Sequence, residues 1–384
     1  MRHKLLILLL ILLPVALQVT ARHPETGKPE VTRQDKSGSR LTLIFTGDIM
    51  GHDTQIASAL ATGDHGYDYR PCFAYLEPYF SGADLVIGNL EVTFAGPPYK
   101  GYPQFSSPDE LADALKMAGF DILVTANNHA LDRGIEGVER TVRQLDQRGI
   151  LHTGTFTGPA ARMKHYPLVV EKDGIRIALL NYTYGTNGLK VPPPAIVNRI
   201  DTVQIKKDME KAAGARPDFI LVTMHWGNEY EPDESPVQSE LASFLFRQGA
   251  DAVIGSHPHV VQPIRGSGKG DLVAYSMGNF ISNQRDRFRN GGITFELELV
   301  KDSEGRRIEN PGYLPVWVHK PVTKNGTLFT LVPAALESGS VQIPGLTGPD
   351  RSMMEQFLLD TRATLYGIRE VEPYWMEDLK LPRR

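Results

Sequence analysis

Cysteine is almost missing from this chain: Cys72 is the only one in 384 residues. No disulfide can form within the chain, and a thiolate-rich metal site of the zinc-finger kind is excluded. In its Pro-Cys-Phe-Ala setting a lone cysteine reads as a small buried hydrophobe, and it is given no role. Charge of one sign is also scarce. The net charge is −4, and 41 Lys and Arg are scattered among 45 Asp and Glu with no basic stripe interleaved with aromatics. No nucleic-acid partner is therefore expected. Internal repeats and low-complexity blocks are lacking as well. What remains is the composition of a soluble globular protein, 41% hydrophobic and 22% charged, long enough for two domains or one large α/β domain.

The N-terminus is a different material. Met1-Arg2-His3-Lys4 is a short basic start, residues 5–13 are unbroken Leu and Ile, and Pro14 precedes a second apolar patch. Val19-Thr20-Ala21 then supplies small residues before polar sequence begins. The apolar run is too short to favour a stable spanning helix, so residues 1–21 read as a secretory signal peptide, or as an anchor if they are not cut. The expectation is an exported protein, periplasmic or otherwise extracytoplasmic. Residues 22–40 are polar, with Pro, Gly and charges, and read as a linker to a folded domain spanning 41–384.

Within that domain, short apolar runs end in polar tips and are followed by helical stretches. Residues 41–45 end in Thr46-Gly47-Asp48, and 84–88 in Asn89-Leu90-Glu91. Residues 121–125 end in Ala126-Asn127-Asn128-His129, 219–223 in Met224-His225-Trp226, and 251–255 in Ser256-His257-Pro258-His259. Helices are expected over 108–118, 134–148, 200–213 and 235–248, the last opened by Ser235, Pro236 and Glu240. Apolar strands alternating with helices indicate parallel strands buried on both faces. From about residue 260 the pattern becomes β-rich, with strands near 272–275, 293–299 and 315–319, and a final helix over 350–365. The aromatics Tyr67, Tyr69, Phe73, Tyr75 and Tyr79 read as packing for an extra helix.

In open α/β sheets, sites form outside the carboxyl ends of the strands, where loops converge. Five of the eleven histidines sit at such tips: His52, His129, His225, His257 and His259. With the carboxylates of Asp48 and Glu91 and the amide oxygen of Asn128, they make a donor set for Mn, Zn or Fe, as one ion or two. His65, His152, His165 and His319 read as surface or satisfied histidines.

The ordered set Gly47-Asp48, Gly88-Asn89-Leu90-Glu91, Asn127-Asn128-His129, His225-Trp226-Gly227, Gly255-Ser256-His257-Pro258-His259 and Tyr275-Ser276-Met277-Gly278-Asn279-Phe280 resembles the CapA family, known from poly-γ-glutamate capsule synthesis. That family is similar to the calcineurin-like metallophosphoesterases, and the resemblance covers roughly residues 41–295. It implies a four-layer αββα sandwich. It also implies metal ligation by Asp48, Asn128, His225, His257 and His259, with His129 facing the phosphate as the catalytic histidine. Two positions depart from the phosphoesterase pattern. Met50 stands where that pattern has its second histidine, so His52 is the substitute and a histidine at position 50 would complete the pair with Asp48. Asn89 stands where the bridging Asp would be, leaving Glu91 to bridge. Asp132 and Arg133 are expected to orient the Asn128-His129 tip. The resemblance implies a metal-dependent hydrolase, phosphoesterase-like, or a non-catalytic subunit of polymer assembly. Its partners would be an anionic polymer such as poly-γ-glutamate or a phosphoester substrate, together with membrane-bound capsule synthesis subunits.

Overall fold

The computed structural model describes residues 38–62, 66–266, 270–324, 326–336 and 343–376. The expected signal segment and residues 22–37 of the linker lie outside them. The last two linker residues, Ser39 and Arg40, already belong to the first strand, Ser39–Ile49, where they pair with Lys301 and Val300.

Alternation of side chains along the strands explains the layers. From the strand Ser39–Ile49, Leu41, Leu43 and Phe45 join Leu85, Ile87, Ile122 and Val124 in one cluster with Ile177, Leu179, Phe219, Leu221, Ala252 and Ile254. The in-between residues point the other way. Ile44, Val86 and Leu123 pack with Leu111, Leu115 and Leu145 of the helices Glu110–Ala118 and Gly134–Gln147. Ala178, Leu180, Ile220, Val222 and Val253 pack with Ile205, Met209, Ala242 and Leu245 of the helices Thr202–Gly214 and Pro236–Arg247. Strands with two apolar faces thus bury one against a second sheet and the other against helices, which is the expected αββα sandwich.

In the first sheet the order runs Thr330–Pro333, Gly305–His319, Gly291–Asp302, Ser39–Ile49, Leu85–Leu90, Ile122–Val124, Leu151–Thr153. The last four are mutually parallel, and the long hairpin Gly291–Asp302/Gly305–His319 adds antiparallel strands, the β-rich C-terminal part. In the second sheet Ile175–Thr183, Phe219–His225, Ala252–Ser256 and Leu272–Ala274 are parallel, with antiparallel edges at Leu168–Lys172 and Ile264–Gly266.

Helix boundaries follow local chemistry. Asp201 caps its helix by accepting from the N–H groups of Val203 and Gln204. Ser235 forms a capping box, but with Gln238 rather than the more distant Glu240. The final helix is Gly348–Thr364. Tyr69, Phe73, Tyr75 and Tyr79 are buried packing around the short helices Arg70–Phe73 and Glu77–Ser81. Beside them burial pushes the Cys72 thiol up to about 12, so it stays an unreactive thiol. Among the described residues no helix is long and apolar enough to cross a membrane.

Candidate metal centre

Strand pairing brings the tips together. Asp48 lies in register with Asn89 on one side and Asn279 on the other, while His225 pairs with Ser256 and Thr183 in the second sheet. A break in the ladder between Thr46 and Asp48 lets the Asp48 N–H donate to Gly278 O at 3.0 Å. Gly47 is required there, because a Cβ would sit 2.0 Å from that carbonyl oxygen. His257 and His259 flank Pro258 in left-handed backbone, at φ 101° and 59°, and their ring centroids are 6.1 Å apart. Left-handed conformations at bulky residues are costly and concentrate at functional positions.

Two overlapping groups of donor atoms result. Glu91, His225 and His257 form one, and Asp48, Glu91 and His259 form the other, with the atoms of each group within 4.8 Å of one another. Glu91 is common to both. Its Oε1 lies 3.6 Å from His225 Nε2 and 3.9 Å from His259 Nε2, between the two. Asn128 Oδ1 lies 2.9 Å from His225 Nε2, so it adds an amide oxygen to the first group. Asn89 donates from Nδ2 to Asp48 Oδ1 at 2.7 Å and reaches His225 Nδ1 at 3.3 Å, linking the groups. Asp48 Oδ2 lies 2.9 Å from His259 Nδ1, an arrangement that fixes the ring and turns Nε2 toward Glu91.

The donor set fits a divalent cation. Glu91 is fully buried, yet neither carboxylate oxygen has a hydrogen-bond partner, and Asn89 Oδ1 and His257 Nδ1 are equally bare. Unpartnered buried polar atoms are expensive, and an ion ligated by them removes the cost. Burial, and then the charge of Asp48, raise the Glu91 carboxyl well above the usual range. Burial, and then His257, hold His225 well below its usual value; burial, and then His259, bring His257 down to about 3. Both rings are thus neutral, the form in which imidazole ligates metal.

His129 directly follows Asn128 of this centre and is buried like it. Its Nδ1 is 2.7 Å from Asp132 Oδ2, which also accepts the Phe105 N–H at 2.7 Å, and Phe105 packs edge-on against the ring. Asp132 therefore orients His129. Arg133 does not: its side chain reaches Pro98 O instead. Asn127 is a turn residue, with Nδ2 on Leu90 O and Oδ1 accepting the His129 N–H.

His52 lies outside both donor groups. Its Nδ1 lies 3.0 Å from Gln55 Oε1 and 3.3 Å from the Asn283 nitrogen, one partner for each ring tautomer, and burial lowers the ring to about 4. Met50, only 2% exposed, is packed in the apolar cluster with Ile49, Phe73 and Phe280. A histidine there would be a polar ring in a hydrocarbon environment, not a partner for Asp48. Met50→His is expected to cost about 2–4 kcal/mol of stability and to leave metal affinity unchanged, as read by thermal unfolding and metal titration. Tighter metal binding would contradict this placement.

Residues without ligand chemistry complete the surroundings. Tyr184 lies against His257 and His225, Tyr230 lies 6.2 Å from His259, and Asn187 accepts from Asn128. A search for metal-capable tips passes over Tyr182-Thr183-Tyr184. The apolar run Ile175–Thr183 leading to it was nevertheless a usable signal.

Known proteins are similar to this chain in sequence and fold. The family model described as Bacterial capsule synthesis protein PGA_cap matches residues 42–284. The Capsule biosynthesis protein CapA of Bacillus anthracis is 31% identical over 265 residues, which is 65% of this chain and 61% of that protein, so less than two thirds of the relative's length is spanned. The PGA biosynthesis protein CapA of Bacillus subtilis (strain 168) is 30% identical over 295 residues, 73% of each chain. Among solved structures, the calcineurin-like phosphoesterase YfkN from Bacillus subtilis is 13% identical with a TM-score of 0.42, covering 85% of this chain and 98% of that one.

Proposed function

The chain belongs to the bacterial capsule synthesis protein family, and from that membership we propose that it is a metal-dependent hydrolase of capsule polymer metabolism. Its substrate would be anionic: poly-γ-glutamate or a related polyanion, or a phosphoester met during polymer assembly. Residues 1–21 would direct it out of the cytoplasm, to work free or anchored beside membrane-bound synthesis subunits.

The observation that carries this reading is Glu91, a buried carboxylate with both oxygens unpartnered and shared by two histidine groups. Asp48, Glu91 and His259 would hold one ion, and Glu91, Asn128, His225 and His257 the other. With nitrogen and oxygen donors and no thiolate, Mn, Zn or Fe suits both positions. When bound, such ions supply Lewis-acid polarisation of a substrate oxygen and lower the pKa of water. His129, with Nδ1 committed to Asp132, keeps Nε2 to give or take a proton at the leaving group. A metal held only to stiffen the fold would not need such an oriented histidine.

The test is metal analysis of the mature protein, followed by phosphomonoester and phosphodiester assays with Mn or Zn. Bound divalent metal and metal-dependent turnover are expected, with turnover abolished in a His257→Ala/His259→Ala double variant. A wild type that holds metal but hydrolyses none of these substrates would overturn the hydrolase reading. A folded double variant that loses polymer binding instead would point to an assembly role.

A further inference from the structure

Tyr184 follows directly on the strand Ile175–Thr183, whose last residue pairs with His225. Its N–H donates to His225 O at 2.9 Å, so its backbone is tied to the end of the strand that carries a candidate ligand. Its ring centroid lies 4.5 Å from that of His257, and it stacks on His225 at 6.3 Å with 10° between planes. The Asn128 side chain is close enough to act on its hydroxyl. One ring therefore lies against two of the histidines assigned to a single ion position.

Tyr184 is nevertheless 42% exposed, whereas Tyr182, two residues earlier, is fully buried. A ring that served only as packing would resemble Tyr182. The neighbouring loop is pinned as well, since Asn187, in left-handed backbone at φ 49°, accepts from Asn128 Nδ2 at 3.2 Å. Tyr230, beside His259, offers a contrast. Its ring is covered by the Arg289 guanidinium at 4.3 Å, and Glu229 and Arg289 act electrostatically on its hydroxyl. Among the described residues no cation covers the Tyr184 ring in that way.

We propose that Tyr184 contacts the substrate: its hydroxyl donates to an oxyanion oxygen, phosphoryl or carboxylate, of the group held at Glu91, Asn128, His225 and His257, and its ring walls that group from solvent. The identity of the group as part of a cleaved substrate rests on the hydrolase reading; the contact itself is a matter of binding.

The experiment uses the full mature chain loaded with Mn and compares wild type with Tyr184→Phe. Calorimetric titrations with inorganic phosphate and with glutarate separate the two oxyanion sources, and metal content and Tm are measured alongside. Tyr184→Phe keeps the ring, so metal content and Tm should not change. Affinity for at least one anion should fall about tenfold, the effect of one hydrogen bond to a charged group. Equal anion affinity in wild type and Tyr184→Phe would overturn the contact while leaving the hydrolase reading intact. So would loss of metal from the variant, since Tyr184 would then act on Asn128 rather than on a ligand. A wild type that binds neither anion would also overturn it, because the donor would have no oxyanion to meet. Tyr184-dependent anion binding without any turnover would uphold the contact and sink the hydrolase reading.

Discussion

Replacing Glu91 with Gln is expected to strip the purified protein of most of its bound metal, weakening binding at both positions by about 100-fold or more, since the one carboxylate common to both donor groups would lose its charge. Among the described residues Glu91 is the one carboxylate or imidazole common to both donor groups. The effect on stability should reverse with metal. A ligand present at 100 times its Kd stabilises a fold by about 2.7 kcal/mol, so chelation should lower the Tm of wild type and leave Glu91→Gln unmoved. Without metal the variant should be the more stable protein. Burial raises the Glu91 carboxyl well above its ordinary value of 4.5 in the fold. Its contribution is therefore full below about pH 4.5 and is lost as pH climbs toward the raised value. Metal-free wild type should thus lose stability on going from pH 4 to pH 7, and the Gln variant, with nothing to ionise there, should lose less. Thermal unfolding with and without chelator at both pH values checks each part. A Glu91→Gln protein with wild-type metal content would contradict the shared role.

His129→Ala is expected to leave metal content intact and reduce turnover by about 10²–10⁴-fold, the usual worth of a positioned acid or base. The histidine lies outside both donor groups, and its Nδ1 is engaged by Asp132. Asp132→Asn should give a smaller loss, because an amide can present its N–H to Nδ1 and favour the wrong tautomer. kcat at saturating metal is the readout. Turnover in His129→Ala equal to wild type would reduce His129 to a packing residue.

Much of this was legible in the sequence, and the reason is local. A buried parallel strand needs a continuous apolar run, and the polar residues that close it must lie at a strand end. Reading 41–45, 84–88, 121–125, 219–223 and 251–255 therefore located Asp48, Glu91, Asn128, His225, His257 and His259, which the fold gathers in one place. The position of Met50 was not legible. Its side chain is buried in an apolar cluster that includes Phe73 and Phe280, far away in sequence, so counting two residues from Asp48 misdirects. His52 lies outside both donor groups, with its Nδ1 facing Gln55 and Asn283. Tyr184 and Asn187 were passed over because their side chains were not sought as metal donors, although the apolar run Ile175–Thr183 pointed to that strand end. Only the pairing of Thr183 with His225 brings them there.

The most direct measurement is an anomalous difference map from crystals grown with Mn. Two peaks are predicted, flanking the Glu91 carboxylate, one toward His225 and His257 and the other toward His259 and Asp48. Density for Mn elsewhere, with Glu91 left bare, would contradict the central claim.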